Sequence, residues 1–127
     1  MKIDHLVMTV GNIEETCGFY EKILGMRVVT LRDGRKELHF GDQKIKIYGT
    51  EKRRDPEPLN PAPGSLDICL VTSIALCRVV EHLDSFGIEI IRGPLRRMGS
   101  MGPIESIYFR DPDGNLIEMA NYVGDMG

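Results

Sequence analysis

His5-Leu6-Val7-Met8-Thr9-Val10 and Asp67-Ile68-Cys69-Leu70-Val71 are two apolar runs, each opening on a polar residue. Gly25-Met26-Arg27-Val28-Val29 begins 20 residues after His5, and Gly87-Ile88-Glu89-Ile90-Ile91 begins 20 residues after Asp67. Each half then closes in a hairpin. The first is Phe40-Gly41-Asp42-Gln43-Lys44-Ile45-Lys46-Ile47-Tyr48, the second Phe109-Arg110-Asp111-Pro112-Asp113-Gly114-Asn115-Leu116-Ile117-Glu118. The chain therefore reads as a repeat. Counted along it, His5 matches Asp67, His39 matches Tyr108, and Tyr48 matches Glu118.

Working outward, residues 3–10 have the composition of a strand. Asn12 with Glu15 three places on fits a capping box. Ile13, Phe19, Tyr20, Ile23 and Leu24 have helical spacing over 13–24, and Gly25 fits a left-handed stop. Strands are expected over 26–32, 36–40 and 44–48. The second half starts again with a strand at 66–72 and a helix near 74–86, which puts Leu76, Val79, Val80, Leu83 and Phe86 on one face before Gly87. Strands at 88–91, 105–110 and 115–121 complete it, with 92–104 read as a loop rich in Gly and Arg. The fold class is α+β: two strand–helix–three-strand (βαβββ) modules pairing into a half-barrel cup. The halves are about 1–49 and 65–123. The proline-rich segment 50–64, with Pro56, Pro58, Pro61 and Pro63, links them within one domain spanning 1–127.

A chain of 127 residues with net charge −3 can bury a core without staples. Its mild acidity gives no footprint for nucleic acid. No stretch approaches a membrane span, and the N-terminus shows no signal-peptide core. A cytoplasmic protein is the expectation. Cys17, Cys69 and Cys77 form no CxxC pair and read as buried free thiols.

Strand side chains alternate between faces. His5, Val7 and Thr9 share one face of the first strand, and Asp67, Cys69 and Val71 share the matching face of the fifth. Glu118 takes the same side of the last strand. Burying two carboxylates together is costly unless a cation joins them, so His5, Asp67 and Glu118 are candidate metal ligands. Tyr108 and Glu118 are candidate catalytic groups. Tyr48, Arg110, His39 and Arg96 are candidate substrate-binding residues. Segment 92–104, with Arg92, Arg96, Arg97, Gly99 and Gly102, suggests a hinged cationic lid over an anionic ligand.

Three stretches carry a resemblance over nearly the whole chain. They are Asp4-His5-Leu6-Val7-Met8-Thr9-Val10, Phe19-Tyr20-Glu21-Lys22-Ile23-Leu24-Gly25-Met26, and Phe109 to Glu118, the last being the most specific. They resemble the vicinal oxygen chelate superfamily, which includes glyoxalase I, extradiol dioxygenases, fosfomycin-resistance proteins and bleomycin-binding proteins. Phe40-Gly41-Asp42-Gln43-Lys44 and Pro63-Gly64-Ser65-Leu66-Asp67-Ile68-Cys69 are similar to glyoxalase-domain-containing proteins of the type 5 kind and to virulence-associated glyoxalase-like proteins. The resemblance implies metal ligands on the first, fifth and eighth strands, sometimes with the fourth. Those positions hold His5, Asp67, Glu118 and Tyr48. Asp67 stands where histidine is usual, and Tyr48 where His or Glu is common.

One imidazole and two carboxylates suit Mn²⁺, Fe²⁺ or Ni²⁺, with Zn²⁺ also accommodated. The expected function is metal-dependent lyase, isomerase or addition chemistry, or a dioxygenase reaction, on a small molecule with adjacent oxygens. A homodimer is expected, because each half exposes a concave sheet. The rival reading is a metal-free protein that sequesters a drug or metabolite.

Overall fold

The computed structural model describes residues 1–124. The element order is β1 (His5–Val10), α1 (Ile13–Leu24), β2 (Arg27–Thr30), β3 (Lys36–Phe40), β4 (Gln43–Gly49), β5 (Asp67–Val71), α2 (Leu76–Ser85), β6 (Arg92–Gly99), β7 (Gly102–Arg110) and β8 (Leu116–Tyr122). Two four-stranded sheets result, ordered β1-β4-β3-β2 and β5-β8-β7-β6. In each, the first strand runs parallel to the last and the other pairs are antiparallel. The α+β repeat of strand, helix and three strands is thus present twice. Among the described residues no helix is long and apolar enough to cross a membrane.

The chain divides into two compact units. Among the described residues, the first comprises 1–66 with 111–115, and the second 67–110 with 116–124.

In the first unit α1 starts on Asn12, whose side chain accepts from the Glu15 backbone N–H at 2.9 Å. It stops at Gly25, which at φ 70° is left-handed as a helix-ending glycine should be. Cys17, Tyr20 and Ile23 from α1 are buried with Met8, Val10, Leu38, Ile45 and Ile47 from the sheet. Leu6, Met8 and Val10 lie on that core side, and His5, Val7 and Thr9 lie opposite, as alternation requires.

The turn 111–115 belongs to this unit although its flanking strands do not. Asp111, 6% exposed, explains why. Its Oδ2 accepts from the buried Tyr20 hydroxyl at 2.7 Å and from Asn115 Nδ2 at 2.8 Å. Its Oδ1 accepts from the backbone N–H groups of Asp113 and Asn115, each at 3.0 Å. Asn115 Oδ1 then accepts from the Leu66 N–H at 2.9 Å, and Asp113 accepts from the Gly11 N–H at 3.1 Å. Burial, reinforced by the bond to Asp111, pushes the Tyr20 phenol far above its usual range, so it stays protonated as a donor. The Asp-Pro-Asp-Gly-Asn motif is a structural clasp.

In the second unit Leu76, Val79 and Leu83 of α2 are buried, as are Ile107, Phe109 and Ile117 of the sheet. Ala75 cannot cap α2 with its side chain. Asn121 does so from β8: its Oδ1 accepts from the Leu76 N–H at 2.9 Å, and its Nδ2 donates to the Thr72 and Ile74 carbonyls.

Several expectations are corrected. Residues 88–91 form no strand; only Ile91 bonds the sheet, donating to the Tyr108 carbonyl at 2.9 Å. Segment 92–104 is not a loop. Its residues form β6, a tight turn and the start of β7, paired from Arg92↔Tyr108 to Gly99↔Gly102 with one bulge between Arg92 and Leu95. The expected hinged lid is a hydrogen-bonded hairpin arm. Phe86 is exposed, edge-on to His82, rather than part of the apolar stripe of α2. Only Cys17 of the three thiols is buried; Cys69 and Cys77 are exposed.

Candidate functional site

The two units present separate sets of polar side chains on the sheet faces away from their helices. On the first sheet, His5 pairs with Lys44, Lys44 with His39, and His39 with Arg27, so these four form a row across the strands. The next row holds Val7, Lys46, Glu37 and Val29. Glu37 is 5% exposed. It bonds His39 Nε2 at 2.9 Å and accepts from Lys44 Nζ at 3.2 Å.

The hydrogen bond from His39, with help from Lys44, holds the Glu37 carboxyl below its ordinary value despite its burial. A depressed carboxyl pKa stabilises the fold fully above the unfolded value of about 4.3, and the stabilisation is lost as pH falls through the lower folded value. The stability gap between wild type and Glu37→Gln, read from urea melts, is therefore expected to narrow between neutral pH and about pH 3. A gap of constant size across that range contradicts the ion cluster.

His5 sits at the start of β1 with its Nδ1 2.8 Å from Asp4 Oδ2. A carboxylate against one ring nitrogen is the arrangement that orients a metal-ligating histidine through its other nitrogen. The bond from His5 also lowers the Asp4 pKa.

Tyr48 stands at the far end of β4, paired with Thr9. Arg35 Nη1 donates to its hydroxyl at 3.2 Å, and the Arg54 guanidinium lies 4.5 Å from its ring centroid. The repeat count that matched Tyr48 to Glu118 does not survive the register. Tyr108 pairs with Glu118, whereas His39, its repeat mate, pairs with Lys44. The β3–β4 turn is Gly41-Asp42, while β7 and β8 are joined by residues 111–115, so counting through the turns misaligns the last strands.

On the second sheet, Cys69 pairs with Glu118 and Glu118 with Tyr108, side by side on one face. Asp67 lies on the same face two residues before Cys69, and Arg110 two residues after Tyr108. Partial desolvation of its sulfur against the sheet face, then the Glu118 charge and a hydrogen bond to Glu118, push the Cys69 thiol up to about 11 although the residue is exposed, so it is a protonated neighbour and not a nucleophile at neutral pH. The Tyr108 hydroxyl accepts from Arg97 Nε at 3.2 Å.

Arg96 is corrected here. It pairs with Glu105 and so faces the opposite side of the sheet, while Arg97, paired with Ile104, shares the Tyr108 face. Parity along a strand cannot be assigned before its bulge is known. Glu37, Lys44 and Arg54 were not singled out from the sequence as site residues, whereas Arg97 was named with Arg96 among the cations of segment 92–104. The Glu37–His39 alternation was the one signal available.

Of the proposed ligands, His5 lies in the first unit, and Asp67 and Glu118 in the second. Among the described residues of the chain, no three His, Cys, Asp or Glu side chains gather into a group able to hold a metal.

Comparison with known proteins places this arrangement. The model of the Glyoxalase/Bleomycin resistance protein/Dioxygenase superfamily matches residues 2–119. Virulence protein STM3117 of Salmonella typhimurium is 48% identical over 96% of this chain and 85% of its own length. Its crystal structure matches with a TM-score of 0.94, covering 97% of this chain and 98% of that one. Glyoxalase domain-containing protein RDO1 of Mycosarcoma maydis is 46% identical over 94% of this chain and 68% of its own. Metallothiol transferase FosB of Shouchella clausii is 30% identical over 92% of this chain and 77% of its own. The chain belongs to the glyoxalase/bleomycin resistance/dioxygenase superfamily, also called the vicinal oxygen chelate superfamily.

Proposed function

We propose that this protein is a cytoplasmic, divalent-metal-dependent enzyme acting on a small molecule with adjacent oxygens, by lyase, isomerase or addition chemistry. His5, Asp67 and Glu118 are the ligands for Mn²⁺, Fe²⁺, Ni²⁺ or Zn²⁺. The observation that carries the reading is the pair Asp67 and Glu118. They stand on one sheet face, either side of the protonated Cys69, and neither is in an ion pair among the described residues. Asp67 is exposed and Glu118 half-buried, so like charge and not burial is what counts: two carboxylates on one face repel, and a divalent ion would relieve that repulsion. Two carboxylates are not a full set. A homodimer in which His5 comes from one copy and Asp67 and Glu118 from the other supplies the third donor.

A bound divalent ion would polarise a substrate oxygen. The chain's own groups do the rest. Tyr108, held by Arg97, donates a hydrogen bond to substrate oxygen. Glu118 takes the proton from substrate carbon. Arg110 and His39 bind polar groups of the substrate.

Calorimetric titration of metal-stripped protein with Mn²⁺, Ni²⁺ and Zn²⁺ tests the ligand set. His5→Ala, Asp67→Asn and Glu118→Gln should each weaken binding by about tenfold or more, since three ligands leave no redundancy. Mixing His5→Ala with Glu118→Gln chains should restore part of the sites. Wild-type affinity in all three variants would leave the metal-free binding protein as the better reading, and a monomer mass by light scattering at micromolar concentration would remove the shared site.

A further inference from the structure

Lys52-Arg53-Arg54 has no role in the metal reading, yet it is not scattered over open surface. The three side chains line a cleft of about 430 Å³ that lies wholly in the first unit. Tyr48 and Thr50 of the β4 end form part of its wall, and Asn60 of the linker forms another. A volume of that size is within the range of small-molecule sites. A second cleft of about 470 Å³ shares Tyr48, Gly49, Thr50 and Lys52, so the Tyr48 strand end is the partition between the two.

The charges of the lining are sorted. Arg53 is committed to Glu57 through Nε at 2.8 Å and through Nη2. The other oxygen of Glu57 accepts from the Arg54 backbone N–H at 3.5 Å, so the carboxylate of the cleft is engaged at both oxygens while the Arg54 side chain stays outside the pair. The guanidinium of Arg54 and the ammonium of Lys52 are in no ion pair among the described residues. Arg54 is nevertheless held in place. Its guanidinium lies over the Tyr48 ring at 4.5 Å, and Nη1 donates to the Pro56 carbonyl at 3.3 Å. Tyr48 is fixed in turn by Arg35, which donates to its hydroxyl at 3.2 Å and is itself tied to Asp33 at 2.7 Å. A guanidinium has five N–H donors in a rigid fork. Here one goes to a carbonyl and the plane is set by an aromatic ring, leaving other donors for a ligand.

We propose that this cleft binds the oxyanion of a small molecule, a phosphate, phosphonate or carboxylate group, with Arg54 as the fork that grips it and Lys52 as a second cation. Thr50 and Asn60 supply neutral hydrogen bonds. An orienting aromatic face beneath the guanidinium reduces the ordering cost of binding. The site uses no residue of the proposed metal set, so it stands whether or not that set binds metal.

The test is a ¹H–¹⁵N NMR titration of EDTA-treated protein with sodium phosphate, with sodium acetate, and with sodium chloride at matched ionic strength. Phosphate or acetate is expected to give saturable shifts clustered over residues 48–60, and chloride is not. The tighter of the two assigns the oxyanion class. Arg54→Gln should weaken that binding by about tenfold or more, and Arg54→Lys by less, because the charge remains but the fork is lost. Lys52→Gln provides a second variant away from the Tyr48 stack, with a loss of about threefold or more. Arg78→Gln, on α2 in the second unit, should bind as wild type. Shifts that do not saturate, shifts centred elsewhere, or wild-type affinity in natively dispersed Arg54→Gln and Lys52→Gln would overturn the site.

Discussion

Replacing Asp111 by Ala is expected to cost about 3 kcal/mol or more of folding stability. The carboxylate accepts four hydrogen bonds, from Tyr20, Asn115 twice and Asp113, all at 2.7–3.0 Å. Hydrogen bonds to a charged acceptor are stronger than neutral ones, and a donor left buried without a partner costs more than the lost bond. Tyr20 and Asn115 are each 1% exposed, so water cannot take over. Tyr20→Phe removes one donor and orphans only part of the carboxylate's capacity, and should cost about 1–2 kcal/mol. Urea unfolding of both variants checks the order. An Asp111→Ala loss no larger than that of Tyr20→Phe would show that the clasp is dispensable.

The second large effect is expected at Gly93. Its φ of +109° lies where side chains rarely go. A Cβ there would sit 2.5 Å from the Ser106 carbonyl oxygen and 2.9 Å from Ile107 Cα, both backbone atoms that cannot rotate away. Conformational strain and overpacking together give Gly93→Ala a cost of about 2–5 kcal/mol. The damage should reach Arg97 and Tyr108, whose alignment depends on the register reset beside Gly93. Thermal melts measure the loss, and NMR shifts of β6 and β7 locate it. Near-native stability with an unchanged hairpin would mean that the bulge is soft.

The repeat was legible because both periodicities were clean. The boundaries of α1 were readable from Asn12 and Gly25, which act through local backbone geometry alone. The βαβββ order followed from alternating apolar runs. Segment 92–104 was not legible because Gly93, Pro94, Gly99 and Gly102 read as breakers. Gly93, Pro94 and Gly99 are tolerated because β6 is an edge strand, where a proline without an N–H and a bulge do least harm, and Gly102 opens β7 at the hairpin turn. Arg96 and Arg97 were read together as cations of one segment, and the sequence does not tell that Arg97 is the one on the Tyr108 face, because the bulge resets the alternation. The motif Asp111 to Asn115 was correctly read as a turn. Its partner Tyr20 is 91 residues away, a distance that no local pattern spans. The grouping of Asp67, Cys69 and Glu118 on one face followed from strand parity, whereas the bonds that His39 and Lys44 make to the buried Glu37 are not specified by parity.

The clasp also settles what kind of object each half is. Residues 111–115 are supplied by the second half of the chain and used by the first. An amino-terminal fragment ending in the linker would therefore lack the acceptor of Tyr20, leaving a buried phenol with nothing to bond. The halves look alike in outline but are not exchangeable cassettes. A duplicated first half could not replace the second, because its Gly41-Asp42 turn contains neither the buried acceptor Asp111 nor Asn115. The resemblance between the repeats is one of architecture, and one short turn out of sequence order makes the first unit depend on both halves of the chain.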